Sequence, residues 1–374
     1  METASCLQRL APVLAEVIEP SAAEIDKHAQ FPRANLDALA KAGLLGLISA
    51  QEVGGLGEGL RAASLVVERI GQACGSTAMV VAMHYCGTAV IEKHGAADVR
   101  KAIAAGRHVT TLAFSEAGSR SHFWAPVGTA SAAPGGIVLD GMKSWITSAG
   151  EADSYVWSSK PLAAEGASTI WFVPARAAGV STVAPFDGLG MRGNASSPVK
   201  GAGVRVAEAD RLGPDGGGFD VMMGIVLPIF SLLNASASLG IAEAALQKAA
   251  AHAGQTKFQH LGQSLAELPT IRAYLARARI GLDSARTLRD DTLVALEGHR
   301  ADAMLRVLQV KAHAAETALA VTDTAMRVCG GAAFRKDVGI ERHFRDARAA
   351  SVMAPTSDVL YDFIGKAVCG LPLF

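Results

Sequence analysis

The chain has 374 residues, half of them hydrophobic and 19% charged, with 35 Lys plus Arg against 35 Asp plus Glu. That length gives a prior of two or three domains and carries enough apolar content for sizeable cores. The balanced charge leaves no basic surplus for nucleic acid and no charge block that would form a tail.

Up to about residue 107 the pattern is helical. Leu36, Leu39, Ala40 and Leu44 recur at helix spacing, Ala78 to Ile91 form a second apolar helical run, and Val53-Gly54-Gly55-Leu56-Gly57 marks a turn between them. The middle third changes to short segments rich in Val, Ile, Thr and aromatics. His108 to Phe114, Gly136 to Thr147, Ser154 to Ser159, Ser168 to Pro174 and Gly203 to Val206 predict an antiparallel β-domain that carries Trp145, Trp157 and Trp171. From about residue 218 long helices return over Ala235 to Ala253, Leu265 to Glu297 and Ala301 to Cys329, with a last one over Ser357 to Val368. Gly330-Gly331 is expected to cap the third of these, and Ser357-Asp358 to start the last. The fold class is therefore α+β: an all-α domain at 1–107, a middle β-barrel or sandwich at 108–217 and a C-terminal four-helix bundle at 218–374.

Cys6, Cys74, Cys86, Cys329 and Cys369 are scattered and form no CxxC pair, so neither a metal site nor a disulfide framework is expected, and all five read as buried thiols. The N-terminus has no basic-then-apolar run, and the apolar stretches are broken by Gly, Pro or charge. A cytoplasmic protein with no membrane span is the expectation.

Four segments, in this order, resemble the acyl-CoA dehydrogenase family. Ala50-Gln51-Glu52-Val53-Gly54-Gly55-Leu56-Gly57 is similar to its P-E-x-x-G-G-x-G turn, and Phe114-Ser115-Glu116-Ala117-Gly118-Ser119-Arg120-Ser121 to V-T-E-P-G-A-G-S. Lys143-Ser144-Trp145-Ile146-Thr147-Ser148 is similar to K-x-W-I-T-N. Met326 to Phe334, with Arg345-Asp346-Ala347 after it, is similar to x-Q-x-x-G-G-x-G-F and R-D-A. The resemblance covers nearly the whole chain and implies a flavoprotein oxidoreductase that binds FAD and an acyl-CoA or related small molecule. It also implies a homodimer or homotetramer, because the cofactor is shared with a neighbouring subunit, and an electron-transfer partner or a flavin reductase.

Residue roles follow from the resemblance. Phe114, Ser115, Trp145, Thr147 and Ser148 would meet the flavin ring, and Arg327, Gly330, Gly331 and Thr356 other parts of FAD. Ser121, Arg120 and the backbone of Ala354 would meet the acyl-CoA. A flat ring with apolar faces and a polar edge needs an aromatic wall beside hydroxyl and backbone donors, which those residue types supply.

One position breaks the frame. The family's Glu-Gly-Thr, whose Glu removes the substrate's α-proton, reads Ala354-Pro355-Thr356 here. An alternative place for that glutamate, on the first bundle helix, falls near Phe230 and Ser231, neither of which is a base. Asp220, Asp346 and Asp358 are acids by type only. The catalytic group is therefore unknown, with His84 and Ser148 as candidates, since the oxygen-using monooxygenase branch of the same fold places a His and a Ser there. Base-independent elimination of an anionic group near Arg120 and a non-enzymatic flavin scaffold are the other readings.

Overall fold

The computed structural model describes residues 2–373. In chain order the helices are Glu2–Val13 (α1), Glu19–His28 (α2), Arg33–Lys41 (α3), Leu60–Ala73 (α4), Gly75–His94 (α5) and Ala97–Ala104 (α6). Seven strands follow: Thr110–Ala113 (β1), Thr129–Ala133 (β2), Gly136–Ile146 (β3), Ser154–Ser159 (β4), Thr169–Pro174 (β5), Val180–Thr182 (β6) and Ser197–Val206 (β7). Then come Gly218–Val221 (α7), Leu227–Gln255 (α8), a two-rung hairpin of Lys257–Phe258 (β8) and Gln263–Ser264 (β9), Pro269–Glu297 (α9), Ala303–Cys329 (α10), Ile340–Val352 (α11) and Ser357–Val368 (α12).

The chain divides into two compact units. One holds residues up to Val66, Met79–Gly188 and Arg192–Phe230; the other holds Val67–Ala78, Leu189–Met191 and the chain from Ser231 onward.

In the first unit the strands form two sheets, ordered β1-β4-β5 and β2-β3-β7-β6. Side chains alternate across each strand, so one face of each sheet can be apolar. Leu139, Tyr155, Trp157, Trp171, Val199 and Val204 meet in one buried cluster drawn from both sheets. This is a sandwich and not a closed barrel. The expected antiparallel pairing holds except at β1, which lies parallel to β4. Strand β7 begins six residues earlier than Gly203, because Gly201 and Gly203 break the residue pattern that marks a strand. β2 and β6 carry small or exposed residues and give no alternation to read.

In the second unit α10 shows the expected helix logic. Val307, Val310, Ala314, Ala318, Val321, Ala325 and Val328 recur at three- and four-residue steps, and all are buried. Gly330, with φ +54°, ends the helix and donates its N–H to the Met326 carbonyl. The matched segment Arg345-Asp346-Ala347 lies within the 13-residue helix α11. The run Gly218–Gln255 is long and apolar enough to cross a membrane, yet 89% of its most apolar window is buried in the protein, as befits a core helix. Four cysteines are buried; Cys369, expected to be buried, is exposed at the end of α12.

Candidate active site

The first unit gathers one set of predicted residues around the end of β3. Lys143 has no exposed surface, and its ammonium lies 2.6 Å from Glu116 Oε1 and 2.7 Å from the Ser158 carbonyl. Burial draws Lys143 down to about 8 against the pull of Glu116 in the other direction. Glu116 also accepts the N–H groups of Val127 at 2.6 Å and Gly128 at 3.0 Å. A single carboxylate thus ties the loop after β1 to the middle of β3. Beside it, Ser144 donates its N–H to the Ser115 carbonyl at 2.8 Å, which lays Phe114-Ser115 along Ser144-Trp145.

The register of β3 against β7 then shifts between Lys143 and Ile146. Such a bulge redirects side chains. Trp145 takes φ +56° and leaves its indole 73% exposed, while Ile146, Thr147 and Ser148 are buried. A left-handed conformation costs a non-glycine residue roughly 1–2 kcal/mol. Two such residues stand three apart here, Trp145 and Ser148, the second with φ +62°. Ser148 donates its N–H to the Asn194 carbonyl at 2.9 Å, and Thr147 Oγ1 lies 3.2 Å from Ser196 Oγ. Phe114 is buried and Ser115 half-buried. On the adjoining loop Arg120 is exposed with φ +48° and Ser121 is half-buried.

His84 is held differently from a proton donor. Its Nε2 faces the Leu45 carbonyl at 3.0 Å, and its Nδ1 accepts the Thr110 N–H at 3.2 Å. That pattern fixes the tautomer with the proton on Nε2. Burial lowers the ring's pKa to about 4, so it is neutral near neutral pH. Nε2 ties α5 to the segment after α3 and Nδ1 ties it to the start of β1, and the structure makes His84 a core histidine.

The second unit holds the other set. α11 ends at Val352, and Met353, Ala354 and Pro355 lead into α12. The ammonium of Lys311, on α10, lies 3.2, 3.0 and 2.8 Å from the carbonyls of Ala350, Met353 and Pro355. Lys311 has no exposed surface, and burial lowers its pKa to about 7. The last carbonyls of a helix lack intrahelical donors, and a cation at that end also suits the helix dipole. Among the described residues, the Ala354 N–H makes no hydrogen bond. Thr356, not Ser357, is the N-cap of α12, accepting the Val359 N–H at 3.5 Å.

The acids considered as bases have other duties or positions. Asp346 Oδ1 accepts the Met191 N–H at 2.6 Å, while Asp358 and Asp220 are exposed. On α8, Ser231 Oγ and Asn234 Oδ1 are buried without partners, and Asn234 Nδ2 lies 3.3 Å from the Met353 sulfur. At the end of α10, the Arg327 guanidinium stands 5.0 Å over the Tyr274 ring. A Cβ on Gly330 or Gly331 would meet nothing within 4 Å, and Phe334 is 82% exposed.

Lys311, Glu116 and Lys143 were not singled out as site residues from the sequence. The signal for Lys311 lay in α10, where it sits on the stripe of Val307, Ala314 and Ala318, a charge at a core position. Glu116 and Lys143 were letters of the two matched motifs, and a lysine inside an apolar strand asks for a counter-charge.

Family models for the acyl-CoA dehydrogenase N-terminal, middle and C-terminal domains match residues 2–106, 111–204 and 216–369. The chain is 31% identical over 350 residues to the mitochondrial short-chain specific acyl-CoA dehydrogenase of Bos taurus, covering 91% of this chain and 83% of that one. It is 30% identical over 367 residues to the 3-(aryl)acrylate reductase of Clostridium sporogenes, covering 94% and 95%. The solved butyryl-CoA dehydrogenase of Megasphaera elsdenii shares the fold with a TM-score of 0.91 at 21% identity, over 98% of each chain. The chain belongs to the acyl-CoA dehydrogenase family, whose members are flavoprotein oxidoreductases that generally bind FAD.

Proposed function

We propose that this chain is an FAD-dependent oxidoreductase acting on an acyl-CoA or a closely related thioester, and that the side chain at position 354 takes no part in removing the α-proton. Phe114, Ser115, Trp145, Thr147 and Ser148 would hold the flavin ring; Arg327, Gly330, Gly331 and Thr356 would hold the remainder of FAD. The fit rests on two features: an indole turned outward at a conformational cost, and open space over both glycines. Bound FAD supplies an acceptor for a hydride. The open ledge from Gly330 to Phe334 supports cofactor contact with a second copy, so a homodimer or homotetramer belongs to the proposal, as does a separate electron-transfer partner.

The observation that carries the reading is the unpaired Ala354 N–H on an anchored turn. A backbone donor at a thioester carbonyl stabilises the negative charge that grows there as the α-carbon loses its proton. With a methyl group at 354 that polarisation survives and the general base does not. General-base catalysis typically contributes 10²–10⁴-fold. The α,β-oxidation of a simple acyl-CoA is therefore expected to be slow.

Anaerobic mixing of the flavin-loaded protein with butanoyl-CoA tests this through the visible flavin band. Slow or absent bleaching is expected for the wild type, and Ala354→Glu should bleach about 10²–10⁴-fold faster. Prompt bleaching by the wild type would support an acyl-CoA oxidoreductase and refute the missing-base reading of position 354; an inert but folded and flavin-loaded Ala354→Glu variant would also refute that reading. Oxygen-dependent turnover with reduced flavin would instead favour a monooxygenase, for which Ser148 is the candidate group, since both nitrogens of His84 are engaged. Product without any redox change would instead favour elimination assisted by the exposed Arg120.

A further inference from the structure

Lys311 has a role in this site that its burial alone does not require. Its ammonium offers three N–H donors, and three backbone carbonyls lie around it at 2.8–3.2 Å, all from the segment Ala350 to Pro355. One of them, the Met353 carbonyl at 3.0 Å, belongs to the same peptide unit as the Ala354 N–H. That peptide is trans. In a planar trans peptide the C=O and N–H point in opposite directions. Anchoring the Met353 oxygen on Lys311 therefore directs the Ala354 N–H away from Lys311, and no protein acceptor among the described residues meets it.

We propose that Lys311 is a positioning residue: its ammonium, clasping the carbonyls of Ala350, Met353 and Pro355, aims the Ala354 N–H at the substrate's thioester carbonyl. The assignment rests on the acyl-thioester reading above. It also explains how the donor stays aligned although residue 354 carries a methyl group where the family has a glutamate side chain. Pro355 has no N–H of its own, so the Ala354 N–H is the donor this short turn can present there.

The test uses flavin-loaded protein at about pH 6, where Lys311 is largely protonated, with butanoyl-CoA and its thioether analogue S-butyl-CoA, which lacks the carbonyl, as probes in calorimetric titrations. The wild type should bind the thioester about tenfold more tightly than the thioether, equivalent to about 1.4 kcal/mol. Lys311→Met should shrink that ratio to about twofold or less and leave the thioether affinity unchanged, as expected for loss of one aligned hydrogen bond. An unchanged ratio in a folded Lys311→Met protein would overturn the assignment while leaving the thioester reading intact. Equal weakening of both probes would mark Lys311 as merely structural and would also overturn it. A wild type with no thioester preference would overturn the thioester reading and the assignment together. If Lys311→Met does not fold, Lys311→Gln replaces it. Its single amide donates to fewer carbonyls, so an intermediate ratio is expected and a wild-type ratio refutes the assignment.

Discussion

Lys143 and Lys311 are both wholly removed from water, one in the strand-rich unit and one in the helical unit, and they are held by different means. Lys143 meets a carboxylate, Glu116, that in turn gathers two backbone N–H groups of its loop. Lys311 meets three backbone carbonyls at the end of a helix. A charge pair ties two segments together and leaves an orphan charge when broken. A carbonyl clasp shapes one segment and leaves only unpaired dipoles. The first device suits a loop that must be held against a strand; the second suits a turn whose N–H must point one way.

The contrast can be broken most forcefully at the pair. Lys143→Met should cost about 3–5 kcal/mol in denaturant unfolding, because the Glu116 carboxylate is left buried and uncompensated. Adding Glu116→Gln should recover part of that loss; a double variant as unstable as the single one would show that the charge is not the cause. Lys311→Met should cost less, about 1–3 kcal/mol at neutral pH, from carbonyls left without donors.

The pH dependence sharpens the comparison and has a definite sign. Lys311 titrates near 7 in the folded chain and near its ordinary 10.5 when unfolded. Between those values the unfolded state binds more protons, so stability from this residue rises with pH. The advantage of wild type over Lys311→Met should therefore widen above pH 7, by on the order of 1 kcal/mol per pH unit at most. A gap that narrows with rising pH would contradict the burial of an ionisable amine at this position. The smallest stability effect is expected at Trp145, whose exposed indole packs little. Trp145→Ala should change unfolding by no more than about 0.5 kcal/mol. FAD retention through dialysis should nonetheless fall, and unaltered retention would remove the indole from the proposed cofactor wall.

Much of this architecture could be read from the residues because the signals were local. Ser154–Ser159 and Ser357–Val368 fall where pattern and flanking residues place them, and α10 keeps its spacing throughout. Strand β2, with the sequence Thr-Ala-Ser-Ala-Ala, has neither bulk nor alternation and is made a strand only by pairing with β3. Strand β7 was foreshortened by Gly201 and Gly203, which cost strand propensity; Gly201 lies against the Trp157 ring, and Gly203 takes a left-handed φ of +66°. The motif residues identified the family, but a motif gives no direction to a side chain. That Trp145 turns outward while Thr147 stays inside depends on a register shift, and that His84 is locked depends on the carbonyl of Leu45 and the N–H of Thr110, both distant in sequence. The Lys311 clasp was the least legible part. It is built from backbone atoms about 40 residues away, which leave no mark on residue type.

The outward turn of Trp145 has an optical consequence. Of the four tryptophans, Trp157 and Trp171 are fully enclosed, Trp124 is half-buried and Trp145 is largely open. The long-wavelength, iodide-quenchable part of the intrinsic fluorescence should thus arise chiefly from a single indole. Anything that settles over that indole should dim or shield this part first, giving a label-free gauge of occupancy already written into the chain.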